Sequence, residues 1–415
     1  MGAPAARVAE LSRLWVEAGH DVTVLTGFPN HPTGYVHPEY RGKLRRLVVS
    51  EQLHGVNVVR TWLLPRPNRK PLERIVNYSS FSFSAAITGT FLPRPDLVIA
   101  TSPQLLVGLS GWWIARCKQV PFIFEVRDLW PESLAAVGAS RRGSTFYRAL
   151  GGIAVFLYRR SDRIVVVSPA FRECLVRDWS LDEANISIVE NGVDTQLFSP
   201  SAERRELRTA LQGEGKFIVS YIGTIGMAHG LETVIAAAQQ LQRTYPQILF
   251  VVVGEGSEKG KIISNVRARG LTNIRFLDQQ AREAIPAYIC ASDLCLVPLK
   301  KSPVFNTVIP SKLLEFMACA RPVIVGVGGL TRQIVEQANA GIAIEPENAS
   351  ELAQAITQMA ATPELGTELG KHGRRYILQN FTRAQKARAY LSVMERLLDS
   401  HRVYRPAPAS LTALR

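Results

Sequence analysis

The 415-residue chain has room for two or three domains of ordinary size, each with its own core. Hydrophobic residues make up 47% and charged residues 20%, which excludes extended disorder. The longest mostly apolar run, 149–158, is far short of the ~20 residues of a membrane-spanning helix. The 49 Lys and Arg against 35 Asp and Glu give a net charge of +14 and a pI near 9.8. That balance suits an anionic partner: nucleic acid, a membrane surface or phosphorylated small molecules.

In chain order, the sequence enters a helix at 5–18, closed by Gly19. A doubly wound domain ordinarily opens with a buried strand before that helix. The pattern therefore predicts a true start upstream of Met1, or else a sheet built without its usual first strand. Strands are predicted at 22–26, 56–63, 96–101, 121–126, 163–168 and 186–190. Residues 191–215 are polar, carry Pro200 and three glycines, and read as a linker. The strand pattern restarts at 217–222, 249–253, 274–277, 294–298, 322–327 and 341–344, and terminal helices follow at 350–359, 364–380 and 383–400. Such alternation predicts two tandem α/β domains with parallel sheets and crossover helices. The five cysteines (Cys117, Cys174, Cys290, Cys295, Cys319) lack Cys-x-x-Cys or His spacing, which points to a reducing compartment and no metal site.

The segment Pro310-Ser-Lys-Leu-Leu-Glu-Phe-Met-Ala predicts a helix start at Ser311, with Lys312 beside it. Backbone N–H groups there form an anion site fit for a diphosphate. Glu315, one turn further on, offers a carboxylate to the vicinal hydroxyls of a ribose. A capped amphipathic helix with an exposed Lys–Glu pair has the same pattern. In Tyr221-Ile-Gly-Thr-Ile-Gly-Met-Ala-His-Gly, a strand ends in a turn whose Gly223 and Gly226 permit close backbone approach to a phosphate; plain tight turns also use such glycines, and His229 has an ordinary loop histidine as its alternative reading. A third turn begins at Gly254 but misses Gly-x-Gly-x-x-Gly because Lys259 holds the sixth position, which weighs against nicotinamide binding. In the first half, Arg127 and Asp128 close a strand at the crevice side of a doubly wound sheet, suited to a phosphate and a sugar hydroxyl. An ion-paired turn is the alternative. Asp-x-Asp occurs nowhere, so a metal-chelating sugar transferase is not expected.

Together these segments resemble glycosyltransferase family 4. So do Glu-Asn-Gly-Val-Asp at 190–194, Leu-Thr-Gly-Phe-Pro-Asn-His-Pro at 25–32 and Arg-Asp-Leu-Trp-Pro-Glu-Ser from Arg127. The likeness runs from Gly2 to about Leu398 and is greatest to the bacterial polysaccharide branch, with its fucosamine and colanic-acid-type transferases. It implies an α/β GT-B fold: two Rossmann-like domains facing a cleft, with the C-terminal helices returning toward the first. The boundaries expected are 1–192 for the acceptor-side domain, 193–215 for the linker, 216–380 for the nucleotide-sugar domain and 381–415 for the terminal helix and tail.

The resemblance further implies a retaining transferase moving a sugar from a nucleoside-diphosphate sugar, UDP favoured, to a lipid-linked or saccharide acceptor. No cofactor or metal is expected, and no nucleic acid. Glu315 matches the second Glu of the family's Glu-x7-Glu, while Thr307 stands where the first would be. Thr224 and His229 stand where the family has Arg and Lys, so Lys312 inherits their cationic work. Of the first domain's glycine loop only Gly2 remains. Arg127 and Lys312 would stabilise the leaving diphosphate while Asp128 orients hydroxyls. A GT-B epimerase and a non-catalytic basic binding protein are the alternatives. Two basic stretches, 41–74 and 141–160, predict peripheral attachment to an anionic membrane at its cytoplasmic face, with Phe156, Leu157 and Tyr158 as apolar anchors.

Overall fold

The computed structural model describes residues 3–30, 34–66, 71–136, 141, 143–201 and 204–404. Gly2, Arg69 and Lys70 lie outside them. The chain forms two compact units, each assembled from separated segments.

One unit comprises Leu11–Pro131, Arg141–Val189 and Ala387–Arg415. It holds β1 (Thr23–Gly27), β2 (Val48–Leu53), β3 (Val56–Thr61), β4 (Val98–Thr101), β5 (Phe122–Val126), β6 (Arg163–Val166) and β7 (Ile186–Ile188). They form a three-stranded sheet ordered β1-β3-β2 and a parallel four-stranded sheet ordered β4-β5-β6-β7. Strand β2, antiparallel to β3, is absent from the sequence-based expectation. Its residues Val-Val-Ser-Glu-Gln-Leu are half polar, and its order comes from pairing across a two-residue turn at His54-Gly55, both with positive φ. Ile123 and Val165 are buried on the central strands of the larger sheet, Ser102 is buried just past the end of β4, and Trp15 donates its indole N–H to the Ala387 carbonyl at 3.2 Å. Tyr390 packs edge-on against Trp15, so the terminal helix Arg383–Tyr404 helps to close this core.

The other unit comprises Met1–Glu10, Glu132–Ser140 and Glu190–Lys386. Its strands are β8 (Phe217–Ile222), β9 (Ile248–Val253), β10 (Ile274–Leu277), β11 (Leu294–Pro298), β12 (Val323–Gly326) and β13 (Gly341–Ala343), in the order β10-β9-β8-β11-β12-β13. Every pair is parallel. Unbroken aliphatic runs such as Ile-Leu-Phe-Val-Val-Val in β9 require both faces to be covered. Two core clusters do this by alternation. Ile218, Ile222, Leu249 and Val251 join the first, while Val219, Tyr221, Ile248 and Phe250 join the second. The result is three layers, helix–sheet–helix, with the strand order reversing between β8 and β11. Ligands of doubly wound folds bind at the carboxyl ends of the strands at that reversal.

The expected linker contains a helix, Arg204–Ala210, whose Arg208 is held by Asp293 at 2.8 Å. The helix is only seven residues long and mostly polar, and its order comes from this distant ion pair together with Leu207 and Leu211 packing on the core. The Glu190–Asp194 motif is a brace. Arg7 donates to the Glu190 carbonyl at 2.9 Å, Lys386 binds the Glu190 carboxylate at 2.7 Å, and Asp194 Oδ1 accepts the Gln196 N–H at 3.0 Å.

Candidate functional site

Strand β8 delivers its chain to the reversal point and ends in Gly223, whose φ of +147° favours glycine. A Cβ there would lie 2.8 Å from Lys312 Nζ, so the missing side chain makes room for the ammonium. Gly254, at the end of β9 with φ +149°, is needed for a different reason: a Cβ would collide with the Gly223 carbonyl oxygen. The two strand-end turns therefore pack backbone against backbone. Gly226 and Thr224 form the rest of the β8 turn; Gly226 has φ −127° and an added Cβ would find only ordinary contacts.

The helix Ser311–Ala318 starts at Ser311 as the sequence predicts, with Pro310 as N-cap and no side-chain cap. Its apolar residues Leu313, Leu314, Phe316 and Met317 are fully buried, which fixes the helix and turns Lys312 toward β8. Lys312 Nζ donates to Tyr221 Oη at 2.8 Å and lies 4.0 Å from the ring centroid; Tyr221 in turn donates to the Thr224 carbonyl. Burial brings the Lys312 ammonium down to about 7, partly opposed by Glu315. Burial and the Lys312 charge together hold His229 well below the ordinary imidazole value. His229 Nδ1 is shielded and has no hydrogen-bond partner among the described residues. Lysine and histidine thus share one poorly solvated place with little negative charge, a condition that an incoming anion relieves.

Glu315 is engaged by a network with no local sequence signal. Arg282 Nη1 binds its Oε1 at 3.1 Å, Arg282 Nη2 binds Glu10 at 2.6 Å, and Arg383 Nε binds Glu10 at 2.7 Å. The Arg282 guanidinium also lies 5.0 Å from the Phe198 ring centroid. Burial raises the Glu315 pKa and Arg282 opposes that rise. The expected alternative of an exposed Lys–Glu pair on this helix is therefore not what forms. Sequence reading missed Glu10, Arg282, Arg383 and Tyr221, because Glu10 lies 272 and 373 residues from its two arginines. Thr307, where the family has a glutamate, donates to the Val304 carbonyl at 2.7 Å and closes its own turn.

Arg127 and Asp128 belong to the other unit, directly after β5. Their N–H groups donate to Ser102 Oγ at 2.7 and 3.3 Å, and Glu125 Oε2 accepts from Thr101 Oγ1 at 2.6 Å. Burial raises the Asp128 carboxyl to about 6, with Arg127 opposing. Of the expected membrane anchors, Leu157 and Tyr158 are buried in the core, and Phe156 packs edge-on against Trp112. Within the apolar run that suggested anchoring, Ala154, Leu157 and Tyr158 form the core-facing side of the helix Thr145–Arg160. No group of three or more His, Cys, Asp or Glu able to hold a metal exists among the described residues.

The doubly wound fold is that of a GT-B enzyme, and the chain is a glycosyltransferase of family 4. Residues 2–192 match the glycosyl transferase 4-like domain and residues 203–376 match glycosyl transferases group 1. The chain is 25% identical to WcaI of Escherichia coli K12, described as a colanic acid biosynthesis glycosyl transferase, over 87% of this chain and 89% of that one. It is 22% identical to the glycosyltransferase WbjE of Pseudomonas aeruginosa, over 79% and 80%. Sucrose-phosphate synthase of Thermosynechococcus elongatus shares the fold, with TM-score 0.77 at 21% identity over 96% and 94% of the two chains. HepE of Anabaena, solved with UDP-glucose, has TM-score 0.70 at 17% identity over 91% and 100%.

Proposed function

We propose that the enzyme transfers a sugar with retention from a nucleoside-diphosphate sugar, UDP favoured, to a saccharide or polyprenyl-diphosphate-linked acceptor at the cytoplasmic face of the membrane. The observation that carries this reading is Lys312: a buried ammonium at the strand reversal, between the first turn of Ser311–Ala318 and the Gly223 turn. Lys312 and the first-turn N–H groups take the diphosphate in place of a metal. Glu315, held by Arg282 on Oε1, accepts the ribose hydroxyls through its other oxygen. His229, Thr224, Gly226 and Gly254 shape the sugar-phosphate side.

The acceptor oxygen attacks the anomeric carbon on the face from which the diphosphate departs. The anomeric C–O bond to the β-phosphate breaks, and the leaving phosphate takes the acceptor proton. Asp128 orients hydroxyls without becoming a covalent nucleophile, and Arg127 neutralises charge developing on the leaving group. The UDP-glucose held by HepE supports the choice of uridine nucleotide. Colanic acid biosynthesis in WcaI supports an acceptor assembled for export. The test is calorimetry of UDP and GDP in EDTA. UDP should bind, and Lys312→Met should weaken UDP far more than uridine; absence of UDP and GDP binding would reject the donor assignment.

A further inference from the structure

In the unit that carries β1–β7, the helices Pro71–Phe91, Leu105–Lys118 and Thr145–Arg160 pack side by side. Ser82 and Ser110 share a hydrogen bond at 2.7 Å, and the Trp112 and Phe156 rings meet edge-on at 4.8 Å. On the outer side of the first helix, Phe83, Ile87 and Phe91 follow one another at four-residue spacing and are 69, 46 and 84% exposed. Trp113 on the second helix is 50% exposed. Between them runs a groove of about 450 Å³ lined by Ser82, Phe83, Leu106, Leu109, Trp113 and Phe156. Four large apolar side chains in one stripe are more than a surface scatters singly.

The charge around the stripe is one-sided. The three helices carry Arg74, Arg116, Lys118, Arg148, Arg159 and Arg160 against the single acid Glu73. Arg116, Arg159 and Arg160 are exposed, as is Arg94 just past the first helix. Arg160 holds its guanidinium 6.0 Å from the Phe156 ring at the groove, and Arg94 is fixed by the Lys118 carbonyl at 3.0 Å. Basic groups thus border apolar ones. A second copy of this chain would have to press like charge on like across a twofold axis. An anionic bilayer satisfies both features at once, taking the rings into the acyl boundary and the guanidinium groups among its phosphates.

We propose that this three-helix face is where the enzyme docks on an anionic lipid bilayer, with Phe83, Ile87, Phe91 and Trp113 entering the acyl boundary. The inference rests on the membrane reading above but places the contact on residues that the sequence reading did not name. In sedimentation, wild-type protein should bind phosphatidylcholine vesicles carrying about 30 mol % phosphatidylglycerol and not phosphatidylcholine alone. Bromine-labelled acyl chains should quench its tryptophan fluorescence, and Trp113→Phe should remove most of that quenching. The double variant Phe83→Ser, Phe91→Ser should bind these vesicles about tenfold more weakly or worse at an unchanged circular-dichroism spectrum and melting temperature, which certify its fold. Arg159→Glu with Arg160→Glu should weaken binding in proportion to anionic lipid content. Wild-type binding that these variants leave intact would overturn this face while sparing the membrane reading. Absence of wild-type binding would overturn both, and a lipid-independent dimer broken by Phe83→Ser, Phe91→Ser would assign the face to a second copy instead.

Discussion

Lys312 has its ammonium lowered to about 7 from an ordinary 10.5, so between those values the unfolded chain binds more protons than the folded one. Stability of the free enzyme should therefore rise with pH across that window as far as this group decides it. A bound diphosphate favours the charged form and raises the pKa again. UDP binding at pH 8 should then take up a proton, and affinity should fall by up to about tenfold per pH unit above 7. Calorimetry in buffers of different ionisation heat measures this, and binding at pH 8 without proton uptake contradicts it. Lys312→Met should raise the melting temperature of the free enzyme at pH 7 while weakening UDP. Glu315→Ala should cost about 1.5–3 kcal/mol in nucleotide affinity, as for lost hydrogen bonds to a charged group. Because the ribose is common to both, UMP and UDP should lose equally; a loss confined to UDP would move Glu315 from ribose to phosphate. Arg282→Ala leaves Glu10 and Glu315 facing each other with less compensation, and removal of one member of a buried ion network costs about 3–5 kcal/mol of stability. An unchanged melting temperature would show the network to be dispensable.

In both units the candidate site residues follow the ends of strands. Gly223→Ala puts a methyl group against the end of a flexible lysine at a backbone angle that side chains avoid. The ammonium can shift, so nucleotide affinity should fall more steeply than melting temperature; the reverse order would make Gly223 a folding residue only. At the end of β5, burial raises the Asp128 carboxyl from 3.8 to about 6. The folded state then holds the extra proton between those values, so stability contributed there is lost as pH rises through 6. Asp128→Asn should accordingly stabilise the enzyme more at pH 8 than at pH 5, while abolishing most transfer. Equal shifts at both pH values would refute the perturbed carboxyl. Every expected strand has a counterpart, since continuous aliphatic runs are legible at short range. The antiparallel β2 and the helix Arg204–Ala210 were not, because their residues are polar and their order comes from partners elsewhere in the chain.

For the molecule as a whole, the charge of +14 is unevenly used. Arg60 is neutralised by Glu51 and covers the Tyr40 ring, so one member of the first basic stretch is structural. The helices of the docking face have almost no acids to balance their arginines. Attachment through them should be peripheral and weaken as salt shortens the reach of charge to about 3–5 Å near 0.5–1 M. No helix among the described residues is long and apolar enough to cross a membrane. With Lys312 supplying the positive charge, transfer should survive EDTA; loss of activity restored by manganese would return the diphosphate to a metal.

The sequence by itself determined the tandem α/β pattern, the helix start at Ser311 and the glycine turns at Gly223 and Gly254. Each depends on neighbours within a few residues: apolar period, capping and backbone freedom. It also carried the family. Only the tertiary structure decided that Lys312 would meet Tyr221 and His229, that Arg282 and Glu10 would join Glu315, and that Phe83 and Phe91 rather than Leu157 and Tyr158 would face outward. Those outcomes depend on which face of each helix meets the sheet and on partners up to 373 residues away, and the balance of burial against pairing sets both.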